Sequence, residues 1–244
     1  MPLATKVIVG ALPVIAVLVA AAFFIPPDFP LLPRQVILFA WGVGGIAVAE
    51  YLLFGPGAAR IAVALGLVPP RPRAVLVALL VSLPMWLFLP AYGAIAGIPV
   101  ALNPQWAAVL LGVVLVNGLA EEVIHRAFIF GHLREEHSFA RAAAISAAIF
   151  ALQHAYLVFT IGPVAGGAAM LLALFLAFPL AFIYETGGRS LAGPAILHTS
   201  SNAPIMLFLT AEGSASVLLP HMAVVLISIY GVLAFAGWLR SAPP

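Results

Sequence analysis

The amino-acid sequence predicts an all-α fold, a polytopic membrane helix bundle of about eight transmembrane helices. Of its 244 residues, 64% are apolar and only 7% are charged, whereas a soluble domain carries about 25% charged residues. The apolar residues form stretches of about 20, the length that a helix needs to cross about 30 Å of hydrocarbon. These observations exclude the soluble enzyme folds, and the alternating segments of a membrane β-barrel are absent from the sequence.

Eight stretches qualify as spans, and breakers such as Pro69-Pro70 and Gly187-Gly188 separate them. The first stretch could also be a signal peptide, because Lys6 precedes it and Ala20-Ala21-Ala22 resembles a cleavage site. Its apolar core is too long for that, so we expect a retained helix. No internal repeat is visible, and a single membrane domain over residues 1–244 is the simplest organisation. The spans cover about residues 7–25, 35–54, 73–97, 105–131, 139–159, 164–184, 190–210 and 217–239.

The basic residues predict the orientation of the chain in the membrane. With the N-terminus in the cytoplasm, the outside segments hold only Arg34, as the positive-inside rule requires. We therefore expect both termini in the cytoplasm, and the Ala/Pro/Gly-rich composition favours a prokaryotic plasma membrane. A net charge of +2 indicates no nucleic-acid partner, so membrane lipid is the expected surrounding. The inside segments hold Lys6, Arg60, Arg71, Arg73, Arg134, Arg141, Arg189 and Arg240.

Two adjacent carboxylates near the inner end of the fourth span, Glu121 and Glu122, predict a functional site, because ionisable groups are costly at membrane depth. Arg126 follows Glu122 by one helical turn, so we expect the two to form an ion pair. Glu121 would point about 100° away around the helix and stay free for chemistry. The alternative is a structural charge cluster: a lone Glu–Arg pair near a helix end is typical of long charged side chains that extend towards water.

Two further polar clusters lie in the fifth and seventh spans. Phe150 and His154 share one helix face, where the phenyl ring would form an apolar wall beside the imidazole. His198 and Asn202 are four residues apart, so their donors point the same way and suit an oxyanion that develops on a carbonyl group. Considered alone, such residues are equally typical of hydrogen bonds between membrane helices.

The three patterns together, Glu-Glu-x-x-x-Arg, Phe-x-x-x-His and His-x-x-x-Asn in this order on separate apolar helices, resemble the CPBP family. That family comprises the type II CAAX prenyl endopeptidases and bacterial proteins related to bacteriocin self-immunity. The resemblance covers about residues 105–210, which we interpret as a CPBP-like catalytic core. It implies an intramembrane endopeptidase that hydrolyses a peptide or lipidated peptide near the cytoplasmic membrane face.

The resemblance also implies a role for each matching side chain. Glu121 would act with His154 to hold and activate a water molecule. His198 and Asn202 would form the oxyanion hole for the tetrahedral intermediate. Supporting positions are Glu122, Arg126 and Phe150.

A zinc-dependent version of the same protease is the main alternative. Glu121, His154 and His198 make a two-histidine, one-carboxylate set that could bind zinc, and family members are often labelled metalloproteases. The sequence lacks His-Glu-x-x-His, and a metal-free mechanism uses both His198 and Asn202, so we favour no cofactor. A membrane transporter and a non-proteolytic immunity factor also remain open.

Residue counting along spans four and five places Glu121 and His154 at different depths in a membrane of about 30 Å. We therefore expect residues 127–140 to protrude into the cytosol as a helical hairpin, with the site in the inner half of the bilayer. Polar residues that we expect to be wetted, or remote from the site, are Glu50, His132, His137 and His221.

Overall fold

The computed structural model describes residues 1–26, 28–55, 57–210 and 214–241 as nine helices and one two-stranded ribbon. The fold class predicted from the sequence is therefore confirmed. The elements are α1 (Leu3–Phe24), α2 (Leu31–Phe54), α3 (Ala58–Ala64), α4 (Pro72–Ala96), β1 (Val100–Leu102), α5 (Trp106–Glu136), α6 (Phe139–Thr160), α7 (Pro163–Thr186), α8 (Ala192–Leu207), β2 (Phe208–Thr210) and α9, which runs from Ser214–Tyr230 through a 3-10 segment to Arg240.

Seven of the helices in the described ranges are long and apolar enough to cross a membrane: α1, α2, α4, α5, α6, α7 and α9. The chain is thus an integral, multi-pass membrane protein. The remaining predicted span, residues 190–210, corresponds to α8 and the strand that follows it. With 16 residues, α8 covers about 24 Å, less than the hydrocarbon thickness. It packs among α4, α5, α7 and α9, so the helix that carries His198 lies inside the bundle.

A short antiparallel ribbon connects the end of α4 to the end of α8. Val100 pairs with Thr210 and Leu102 with Phe208. Immediately after β1, the backbone N–H of Asn103 donates a hydrogen bond to the carbonyl of Leu207 at 2.8 Å. This anchor fixes where α5 begins relative to α8, and these two helices carry the glutamates and one histidine of the predicted site.

Helices α5 and α6 form an antiparallel hairpin joined by residues 137–138. Because α5 continues to Glu136, beyond its predicted end near residue 131, Glu121 lies 15 residues before the end of α5. His154 lies 15 residues after the start of α6 at Phe139. Both are therefore about 22 Å along their helices from the hairpin, and the conflict in depth expected from the sequence disappears.

The first half of the predicted cytosolic hairpin, residues 127–133, packs inside the helix bundle, and its position relative to the membrane stays a prediction. Residues 127–133 are all buried, because large apolar side chains such as Phe128 and Phe130 gain free energy by packing against the neighbouring helices. Glu50 and His132, which we expected to be wetted, are only 1% and 6% exposed.

Glycine residues let α5 approach its neighbours closely. A Cβ atom at Gly42 of α2 would lie 3.0 Å from the Cβ atom of Ala120. A Cβ atom at Gly118 of α5 would collide with the hydroxyl of Thr199 on α8. Small residues at such contacts are a common way of packing membrane helices, and here they bring the glutamates of α5 against α8.

Candidate active site

Glu121 and Glu122 lie between two π-helical segments of α5, Val114–Ala120 and Val123–Phe130. Such segments are rare and occur frequently at functional sites. Both carboxylates approach the same imidazole of α8: Glu122 Oε1 is 2.7 Å from His198 Nδ1, and Glu121 Oε2 is 3.7 Å from His198 Nε2. The bond of Glu122 to His198 was not predicted, because the spacing of residues along one helix carries no information about a partner 76 positions away in the sequence.

Glu122 joins Arg126 to His198. Its Oε2 atom is 3.1 Å from Arg126 Nε, which confirms the predicted ion pair, and all three side chains are buried. An ionised carboxylate only accepts hydrogen bonds, so the Nδ1 atom of His198 carries a hydrogen and donates it to Glu122. This bond fixes the ring and directs Nε2 towards Glu121.

Phe150 lies at the centre of the cluster. The guanidinium carbon of Arg126 is 4.5 Å from the centre of its ring, a cation–π contact. The rings of His154 and His198 stand nearly perpendicular to the phenyl ring, with centroids 4.7 Å and 5.6 Å from its centre. Phe150 and His154 share one helix face, as predicted. The phenyl ring of Phe150 also contacts Arg126 and His198.

His154 lies where the α-helical part of α6 changes into a 3-10 turn, His154–Tyr156. Its Nδ1 atom is 2.8 Å from the carbonyl oxygen of Phe150. A carbonyl oxygen can only accept a hydrogen bond, so Nδ1 carries the hydrogen and the lone pair of the neutral ring is on Nε2. His154 is half-buried and can therefore take a proton from a group in the adjacent cavity.

Glu121 has one weak partner and one unsatisfied oxygen. Asn117 Nδ2 donates to Oε1 at 3.3 Å, whereas Oε2 is buried and has no hydrogen-bond donor within the described part of the chain. A buried carboxylate oxygen without a donor is costly, so this atom is well suited to hold a water molecule. We missed Asn117 in the sequence, although its position four residues before Glu121 is the signal that would have found it.

A cavity of about 160 Å³ brings the four predicted catalytic residues together. Its polar wall contains Glu121, His154, His198 and Asn202, which come from α5, α6 and α8. This space exceeds the roughly 30 Å³ that one water molecule occupies in the liquid. The opposite wall belongs to α7 and is apolar: Ala169, Leu172, Ala173 and Leu176. The arrangement can accommodate an apolar segment beside a solvated acid and two imidazoles.

Asn202 borders the cavity, but its amide bonds back to its own helix. Nδ2 donates to the carbonyl of His198 and to the hydroxyl of Ser201, both at 3.3 Å. To stabilise an oxyanion, the Asn202 amide must therefore give up one of these long hydrogen bonds and donate to the substrate instead.

The expectation that His221 is remote is wrong, because α9 packs against α8 and His221 Nε2 lies 3.0 Å from the carbonyl of Ser201.

A second polar contact fixes α5 against α6 one turn beyond the glutamates. His125 Nε2 and Gln153 Oε1 are 2.7 Å apart, and the hydroxyl of Ser146 donates to the carbonyl of His125 at 2.8 Å. All three side chains are buried. Gln153 immediately precedes His154, so this contact determines where the imidazole of His154 lies relative to α5.

Within residues 1–26, 28–55, 57–210 and 214–241, no group of three or more His, Asp or Glu side chains could hold a metal ion. Glu121, His154 and His198, the zinc set considered from the sequence, border one cavity without forming such a group.

Residues 103–204 match the family model described as Type II CAAX prenyl endopeptidase Rce1-like. The matched segment contains all of α5, α6 and α7 and most of α8, and it includes the four predicted catalytic residues that border the cavity. The match confirms the resemblance to the CPBP family that the three sequence patterns indicate. No curated protein matches the chain.

Proposed function

We propose that the protein is an intramembrane endopeptidase that activates water with Glu121 and His154, because residues 103–204 match the family model of the Rce1-like type II CAAX prenyl endopeptidases. One observation carries this proposal. An unsatisfied carboxylate oxygen, two imidazoles and a carboxamide from three helices border a single cavity.

In the proposed mechanism, a water molecule lies between Glu121 Oε2 and His154 Nε2. Glu121 takes a proton from this water while the oxygen of the water attacks the carbonyl carbon of the peptide. The His198 ring and the Asn202 amide donate hydrogen bonds to the oxyanion of the tetrahedral intermediate. Glu121 then transfers its proton to the peptide nitrogen, and the C–N bond breaks.

Glu122 and Arg126 act through His198 in this mechanism. To donate to an oxyanion from Nε2 while Nδ1 bonds to Glu122, the His198 ring must carry hydrogen on both nitrogens. The carboxylate of Glu122 stabilises that cationic ring, and Arg126 pairs with the same carboxylate at 3.1 Å. Glu122 is thus a positioning residue, comparable to the carboxylates that orient histidines in other active sites.

Hydrolysis is tested with the purified protein in detergent and CAAX peptides, both prenylated and unmodified, with the products identified by mass spectrometry. We expect the wild type to cleave and Glu121→Gln not to cleave. Cleavage that survives chelators supports the metal-free mechanism, whereas loss that zinc restores contradicts it. Proton-coupled flux in liposomes without hydrolysis would favour a transporter. Entry of substrate from the cytoplasmic face is tested in sealed vesicles of known orientation.

We expect Asn202→Ala to lower kcat by about 10²- to 10³-fold, the usual cost of removing one oxyanion donor, with little change in KM. Asn202→Asp is the matched variant, because it keeps the shape of the side chain and removes the amide donor. Steady-state kinetics on both variants provide the measurement. Retention of the wild-type kcat by Asn202→Asp would refute the donor role.

We expect Gly118→Val to reduce kcat/KM by about 10²-fold or more, because a shift of about 1 Å at a catalytic group has effects of that size. The added side chain must displace Thr199 and so separates α5 from α8. Gly44→Val is the control, since a Cβ atom at Gly44 meets nothing within 4 Å. Equal activity of the two variants would show that the close contact of α5 with α8 does not position the site.

A further inference from the structure

A second polar cavity, of about 320 Å³, lies at the hairpin end of the bundle. It is formed by the ends of α2, α3, α5 and α7, and it shares no lining residue with the cavity of the active site. Its charged and polar lining residues are Glu50, Arg60, His132, Glu135, Tyr184 and Arg189. None of them has a part in the proposed hydrolysis.

Glu50 is a buried carboxylate whose partners satisfy it poorly. Its side chain is 1% exposed, and Oε1 lies 3.4 Å from Arg60 Nε. Oε2 lies 3.2 Å from His132 Nε2, but no described residue gives it a hydrogen bond of good geometry. Because an incompletely bonded buried carboxylate is costly, this oxygen is a strong acceptor for a ligand in the cavity.

His132 presents a second acceptor beside that oxygen. Its Nδ1 atom is 2.9 Å from the carbonyl oxygen of Phe128, so Nδ1 carries the hydrogen and the neutral ring has its lone pair on Nε2. The rings of Phe54 and Phe128, with centroids 4.1 and 4.9 Å away, hold the imidazole in this orientation. Two acceptors facing each other need a shared donor, which is either a proton or an N–H group of a ligand.

Two arginines lie at the mouth of the cavity. The Arg60 side chain is 58% exposed, and Arg189 is exposed in the turn after α7. A simple cation would be repelled by these guanidinium groups, and a simple anion would be repelled by Glu50. The cavity therefore favours a ligand with a cationic end that reaches inwards and an anionic end that remains at the mouth.

We propose that this cavity binds a phosphoethanolamine group, with its ammonium on Glu50 and His132 and its phosphate between Arg60 and Arg189. The ammonium supplies three N–H donors, which satisfy both the carboxylate oxygen and the imidazole. Arginine is suited to phosphate through paired hydrogen bonds. The cavity lies at the helix ends of a membrane protein, where phospholipid headgroups lie, so phosphatidylethanolamine is the lipid source of this group.

The proposal is tested by native mass spectrometry of the purified protein with phosphatidylethanolamine, phosphatidylcholine and phosphatidylglycerol. We expect phosphatidylethanolamine to bind about tenfold more tightly than either other lipid. The headgroup of phosphatidylcholine has no N–H donors, and that of phosphatidylglycerol has no amine. Equal binding of all three lipids would overturn the proposal. If soluble phosphoethanolamine competes with the lipid, the headgroup suffices for binding. If the protein selects phosphatidylethanolamine but soluble phosphoethanolamine does not compete, the acyl chains contribute to binding as well.

Variants of the cavity complete the test. We expect Glu50→Gln and the more exposed Arg60→Gln each to lose about tenfold in affinity for phosphatidylethanolamine and to lose the lipid selectivity. Arg73→Gln is the matched control, since Arg73 is partly exposed at the hairpin end and bonds to Trp238 and Ser241 outside the cavity. A thermal melt of each variant verifies folding. Wild-type selectivity in folded Arg60→Gln would contradict the proposal.

Discussion

Glu121→Gln is expected to lower kcat/KM for peptide hydrolysis by about 10³-fold or more and to leave the protein folded. The amide keeps the shape of the carboxylate and can still accept the hydrogen bond from Asn117. It cannot accept a proton from water, and general acid–base groups contribute about 10²- to 10⁴-fold to rate. The measurement is the initial rate of product formation by the purified variant.

Glu136→Gln is the control for this change, because Glu136 is an exposed glutamate at the end of the same helix. We expect it to cleave at the wild-type rate. A thermal melt in detergent should give similar midpoints for both variants. Hydrolysis by Glu121→Gln at more than a tenth of the wild-type rate would remove Glu121 from the mechanism.

Arg126→Leu is expected to lower the free energy of unfolding by about 3–5 kcal/mol, the usual cost of removing one member of a buried ion pair. Arg126 is fully buried, and its loss leaves the carboxylate of Glu122 without its cation. The phenyl ring of Phe150 also loses its cation–π partner. Thermal and denaturant unfolding in detergent provide the measurement.

The double variant Arg126→Leu/Glu122→Gln separates stability from catalysis. Since it removes both charges, we expect it to regain part of the lost stability, as buried ion pairs replaced by neutral groups often do. The double variant should have no peptidase activity, because His198 no longer bonds to an ionised carboxylate. Recovery of activity together with stability would contradict the positioning role of Glu122.

The contacts predicted from the sequence are those within one helix. The ion pair of Glu122 with Arg126 and the shared face of Phe150 and His154 both follow from a spacing of four residues. Seven of the eight predicted membrane spans followed from apolar length alone. These predictions succeeded because helix geometry and span length are local properties of the chain.

The contacts that the sequence could not predict are those between helices. The bond of Glu122 to His198 depends on how α5 packs against α8, and the two π-helical segments have no periodic signal. The continuation of α5 to Glu136 removed an apparent conflict in depth. Glu50 and His132 were expected in water because each lies near a helix end, but the packing of α2 against α5 buries them together.

Activation of water by Glu121 and His154 is tested most directly by a crystal or electron-microscopy structure at a resolution that shows ordered water. We expect a water molecule within hydrogen-bond distance of both Glu121 Oε2 and His154 Nε2, beside His198. Hydrocarbon side chains that fill the space between these residues would contradict it, and so would a metal ion coordinated by all three.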